Sequence, residues 1–235
     1  MKNSKSQLDI LLLKRIEENR EKLRYDLDST LKVEQACLEE IQKGINHCKT
    51  NITQCNKMLG KASLTAIPVW TAKKDAFEDN LTIWNTLGHI QMASIEMKQY
   101  TKRLSTDNDD WELLDAIKAS YISIYETSEK LIKNIGKIMK FINNHFPSYD
   151  YSALKNAKKK LAKFKEDNAL TLKHVRNNVA AHRDNDIGKQ LDILENLHLS
   201  NAIKLVVEYG NIINELGSAI SKTKELGIMR LEQTC

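Results

Sequence analysis

Eight glycines and two prolines in 235 residues leave this chain little with which to turn. Sheets need frequent reversals, and reversals consume these residue types, because glycine reaches backbone angles closed to others and proline pre-sets a turn. Runs of alternating β-branched residues are also missing. The chain is therefore expected to be all-α and built from long helices. Hydrophobic residues at 41% and charged residues at 29% supply core and surface for one or two domains.

Several classes of function fall away early. The apolar run Ile10-Leu11-Leu12-Leu13 is far too short to cross a bilayer, and Lys14 and Arg15 follow it with no small-residue cleavage site. The expected location is the cytoplasm. Cys37, Cys48, Cys55 and Cys235 form no CxxC pair, which argues against a zinc site built from them. Cys48 and Cys55 lie seven residues apart, roughly 10 Å along a helix axis and too far for an intrahelical disulfide. Reduced thiols in small apolar positions are expected. The net charge of +5 gives only weak attraction to polyanions.

Hydrophobic spacing divides the chain further. Leu31, Leu38, Ile45, Ile52 and Leu59 recur every seven residues within a proline-free helix from about Gln7 to Leu59. Ile41, Cys48 and Cys55 add a second row, which fails at Glu34, and Gly44 weakens the helix somewhat. The seam suits either a dimerising coiled coil or a long helix folded against its own domain, and the second is favoured. Gly60 to Pro68 is a break, with the next helix starting near Thr71 because Pro68 disfavours helical angles at Ile67. Residues 1–64 thus read as a long helical arm and residues 65–235 as a helical bundle.

Within the bundle, Ala76, Phe77, Leu81, Trp84 and Leu87 give the second helix its stripe, with Gly88 a place for a kink or an end. Asp109 and Glu112 have capping-box spacing before a helix that carries Trp111, Leu114, Ile117, Tyr121 and Ile124 and runs to about Asn144. A Lys-rich helix spans Ser152 to Glu166, and another is expected from Asn168 to His182. A loop at Asp184 to Gly188 and a helical segment at Gln190 to Asn196 precede a last long helix capped by Ser200. Its stripe is Ile203, Val206, Val207, Ile213, Leu216 and Ile220. No internal repeat is evident, and no Walker-type loop, HExxH or GxSxG occurs.

One stretch departs from helix filler: His174-Val-Arg-Asn-Asn-Val-Ala-Ala-His-Arg-Asp-Asn-Asp186. Arg176 and His182 enclose five residues, Asn177 follows the arginine, and the run ends Ala181-His182-Arg183-Asp184. This pattern resembles the signature of the HEPN superfamily, bundles of four or five helices with the motif on a late helix, and the ending resembles its abortive-infection members. The resemblance covers roughly Trp70 to Leu226, with specificity only in residues 174–186. It implies a metal-independent endoribonuclease of the kind used in phage defence or toxin–antitoxin systems, needing no cofactor or metal. RNA would be the substrate, and an antitoxin or other protein a partner. By the same resemblance His182 moves the proton, Arg176 clamps the phosphate and Asn177 orients, with Lys159, Lys163 and Arg183 as weaker substrate contacts.

Helix geometry adds a condition. Six residues put Arg176 and His182 about 120° apart in azimuth and roughly 9 Å apart in rise, so they do not share a face. Within one chain they converge only if the helix ends near Ala181 and His182 swings back; in a homodimer, which the resemblance implies, two such helices line one cleft. The competing readings are a non-enzymatic helical interaction protein that self-associates through the Leu31 to Leu59 seam, and a HEPN nucleic-acid-binding module without turnover. Each motif residue also has a plainer use. His182 could be a satisfied histidine at a helix end, Arg176 an ion-pair partner, Asn177 a backbone ligand, and the Lys155 to Lys165 face merely solvated.

Overall fold

The computed structural model describes residues 7–106, 109–177 and 197–234. Helices α1 (Gln7–Leu59), α2 (Ile67–Thr106), α3 (Asp110–His145), α4 (Ser152–Asp167), α5 (Ala169–Val175), α6 (Leu199–Ser221) and α7 (Lys224–Glu232) follow in order, and the described residues contain no strand. The all-α expectation holds. The expected loop at Asp184 to Gly188 and the segment at Gln190 to Asn196 lie outside the described residues.

Most boundaries follow from local chemistry. Asp109 caps α3 as its spacing predicts: its Oδ1 accepts the N–H of Trp111 at 2.8 Å and of Glu112 at 3.1 Å, two donors with no acceptor inside the helix. α2 begins at Ile67, a turn earlier than expected. Pro68 falls in the first turn, where a missing N–H costs nothing and a fixed φ suits the helix. α2 then runs straight through Gly88. α7 was not anticipated, because Lys224 to Glu232 carries no clear apolar stripe.

The chain groups into two compact units. The first comprises Met1–Gln35, Ala93–Glu129 and Lys160–Ile213, and the second Ala36–Met92, Lys130–Lys159 and Asn214–Cys235. The boundaries cut through helices, so neither unit is one stretch of sequence.

In the second unit α1 and α2 pair antiparallel. Gly44 lies against the Trp84 indole and Ile41 against Gly88. A Cβ at Gly44 would sit 2.4 Å from Trp84 Cε2, so the glycine permits close approach of the two helices rather than merely weakening one. Lys224 Nζ covers the same indole at 4.5 Å from the ring centre and pairs with Glu40 at 2.9 Å. Ile41, Cys48 and Cys55 are buried, whereas Leu38, Ile45, Ile52 and Leu59 are half-buried. The weaker row of the seam is thus the deeper one, and it is spent against the chain's own helices. Burial pushes the Cys48 thiol up to about 11, as expected for a reduced, unreactive thiol. Cys55 is likewise a buried free thiol, while Cys37 is exposed. Leu131, Ile135, Ile138 and Ile142 of α3, spaced four, three and four, complete this core together with Phe141.

In the first unit the polar interruption at Glu34 has its own partners. Its carboxylate accepts the Ser94 hydroxyl at 3.0 Å and pairs with the Lys98 ammonium. Lys102 Nζ reaches Asp28 at 2.6 Å one turn on, again an antiparallel match of α1 with α2. Of the expected α6 stripe, Val206, Ile213, Leu216 and Ile220 are buried and Ile203 is half-buried. Ala202, Leu205 and Tyr209 are buried as well, while Val207 is exposed. Tyr209 is fully buried, packs on Phe164 at 5.5 Å between ring centres and donates its hydroxyl to Thr127 Oγ1 at 3.0 Å. Burial pushes its phenol up to about 12.

That shift has a measurable consequence. The unfolded phenol ionises near pH 10, the folded one near pH 12, so the unfolded state loses its proton first as pH rises. The associated stability is whole below pH 10 and drains away toward pH 12. Tyr209→Phe should cost about 1 kcal/mol at neutral pH by removing one hydrogen bond. It should also flatten the fall in urea midpoint through the alkaline range, and an unchanged slope would contradict the assignment.

Candidate functional site

The described half of the motif sits where α5 ends. Leu172 and Val175, three apart on one face, are buried and anchor this short helix. Asn168 precedes it, donating from Nδ2 to Phe164 O at 2.8 Å and accepting the Leu172 N–H at its own carbonyl at 3.0 Å. Arg176 follows Val175 in helical conformation, and its N–H points back to the carbonyls of Leu172 and Lys173. Arg176 and Asn177 are both half-buried, and Arg176 Nη1 donates to Asn177 Oδ1 at 3.3 Å. His174 is exposed. His182 and Arg183 lie outside the described residues.

A carboxylate lies near the guanidinium. Glu129 accepts Lys165 Nζ at 2.9 Å, and that bond, reinforced by the Lys165 charge, the Tyr125 hydroxyl and the Arg176 charge, holds its carboxyl below the usual range against modest desolvation. Lys165 also stands 5.8 Å from the Tyr125 ring centre. The arrangement is a half-exposed cluster of two cations, one anion and a phenol. Arg176 stays half-exposed there and is bonded to the Asn177 side chain. Sequence spacing alone does not connect Lys165 or Glu129 with Arg176.

Of the weaker expected contacts, Lys159 and Lys163 are exposed and one turn apart on α4. Leu154, Ala157, Leu161 and Phe164 bury the opposite face, so the expected sidedness of this helix is observed. Among the described residues no three His, Cys, Asp or Glu side chains converge as ligands for a metal ion.

The second unit holds a separate cleft of about 360 Å³ between α2 and α3, lined in part by Glu78, Asp79, Lys137, Lys140, Phe141 and His145. Burial pushes the Asp79 carboxyl up, opposed by His145 and Arg230, and His145 Nε2 stands 3.7 Å from Asp79 Oδ2. The hydroxyl on its wall, Thr82, is committed to Glu78 O at 3.1 Å and is not poised as a nucleophile.

No family model, curated protein or solved structure matches the chain.

Proposed function

We propose that the chain is a metal-independent endoribonuclease of HEPN type acting as a homodimer. The observation that carries the proposal is the Arg176–Asn177 pair. It sits half-exposed at the end of a short, well-anchored helix, at the start of the Arg-Asn-x4-His run, with the guanidinium bonded to the Asn177 side chain. The all-α architecture and the exposed lysines of α4 are in keeping with it.

In the reaction the 2′-hydroxyl of the RNA attacks the adjacent phosphorus as its proton passes to a base. The bond to the 5′-oxygen then breaks, and that oxygen takes up a proton. The products are a 2′,3′-cyclic phosphate and a 5′-hydroxyl. His182 is the proton-transfer residue, since an imidazole can both take up and give a proton in this step. The planar fork of Arg176 matches two phosphoryl oxygens and stabilises the charge that grows on them in the phosphorane. Asn177, already bonded to that fork, holds it in place.

Arg176→Ala and Arg176→Lys test this role. The alanine variant should lose on the order of 10²-fold or more in cleavage rate. Lysine should restore only a small part, since a point charge does not reproduce a bidentate fork. RNA binding should change little in either, because the α4 lysines remain. Cleavage at the wild-type rate by Arg176→Ala would refute the role. Binding without any turnover in the wild type would point instead to a non-catalytic RNA-binding module.

A further inference from the structure

We infer that the connection between α1 and α2 is a membrane-surface anchor that inserts into bilayers carrying anionic lipid. Leu64 is 88% exposed and Val69 59% exposed, with Ile67 and Met58 also exposed and Trp70 half-buried beside them. These apolar side chains crowd into thirteen residues, Met58 to Trp70, at the turn of the α1–α2 pair. Water-exposed aliphatic side chains in such a cluster are costly unless something covers them.

Charge identifies the cover. Residues 41–74 contain Lys43, Lys49, Lys57, Lys61, Lys73 and Lys74 and no aspartate or glutamate, in a chain with 31 acidic residues. In sequence Lys57 and Lys61 precede Leu64, and Lys73 and Lys74 follow Trp70. Lys73 Nζ lies 5.8 Å from the Trp70 ring centre, and Lys74 also reaches Glu78 at 3.3 Å. An indole with its apolar body and polar N–H suits the headgroup level, where long lysine stems extend to lipid phosphates. RNA would use the lysines but has no need of Leu64, Ile67 and Val69. An anionic bilayer uses both sets. Among the described residues no helix is long and apolar enough to cross a membrane, so the contact is peripheral.

The site is remote in sequence from residues 174–186, and the inference does not rest on the ribonuclease reading. The test is flotation of the full chain with phosphatidylcholine vesicles, with and without phosphatidylserine. Binding should rise about tenfold or more with phosphatidylserine, since each lysine near an anionic surface adds attraction. Leu64→Ser/Val69→Ser and Lys57→Gln/Lys61→Gln should each lower it by about tenfold. Both pairs change exposed residues, so thermal melts should match the wild type. Brominated lipid should quench Trp fluorescence, and Trp70→Phe should abolish that quenching. Equal binding to both vesicle types would overturn the inference. So would wild-type binding by Leu64→Ser/Val69→Ser alongside loss in the lysine variant, because that pattern marks a polyanion such as RNA or an acidic protein.

Discussion

Gly227→Ala should destabilise the chain by about 3 kcal/mol, more than any surface change, through overpacking and the loss of one buried hydrogen bond. A Cβ at this position would lie 2.2 Å from Asn80 Oδ1. Asn80 is buried and cannot swing away cheaply. Its Nδ2 donates to Gly227 O at 2.7 Å and to Ala76 O at 3.0 Å, tying α2 to α7. For a chain of this size the loss corresponds to a fall of about 6–12 °C in Tm. The mechanism is separable from generic helix effects, since alanine is the better helix former and should otherwise stabilise. In an Asn80→Ala background the clash partner is gone, so Gly227→Ala should there cost less than about 1 kcal/mol. Equal costs in both backgrounds would show that Asn80 is not the obstacle.

His182→Ala should reduce RNA cleavage by about 10²- to 10⁴-fold, the usual contribution of a positioned general acid or base. The dimeric reading adds a sharper expectation. If the cleft holds two composite sites, each taking Arg176 from one subunit and His182 from the other, a heterodimer of Arg176→Ala with His182→Ala carries one wild-type site and one doubly altered site. Mixing the two inactive variants with subunit exchange should then recover roughly a quarter of wild-type activity, as symmetric pairing of subunits dictates. No recovery, with exchange shown to have occurred, would place both residues in the same subunit's site.

The parts of this molecule legible in its sequence are those set by local chemistry. Scarcity of glycine and proline foretold the long helices, Asp109 foretold the start of α3, and the spacing of Ile117, Tyr121 and Ile124 foretold its buried face. Features that failed to show depend on what lies opposite. Gly44 looks like a flaw in α1 until Trp84 is seen against it. Glu34 looks like a break in a stripe until Ser94 and Lys98 meet it. Tyr209 looks polar by its hydroxyl until its burial is seen, and Trp111, which heads the apolar series of α3, is 64% exposed in its first turn. The same division holds at the candidate site. Its motif residues could be named from spacing, and the structure places Arg176 and Asn177 side by side. Glu129, Lys165 and Tyr125 beside Arg176 come from other helices, and only tertiary packing brings them there.

The central claim is that the Arg176 to His182 motif cuts RNA by internal transesterification. The most direct measurement incubates the purified chain with structured RNAs in excess EDTA and maps the ends of any products. The account predicts cleavage that leaves 2′,3′-cyclic phosphate and 5′-hydroxyl ends and that vanishes with His182→Ala. Intact RNA with folded wild-type protein, or equal cutting by His182→Ala, would contradict it.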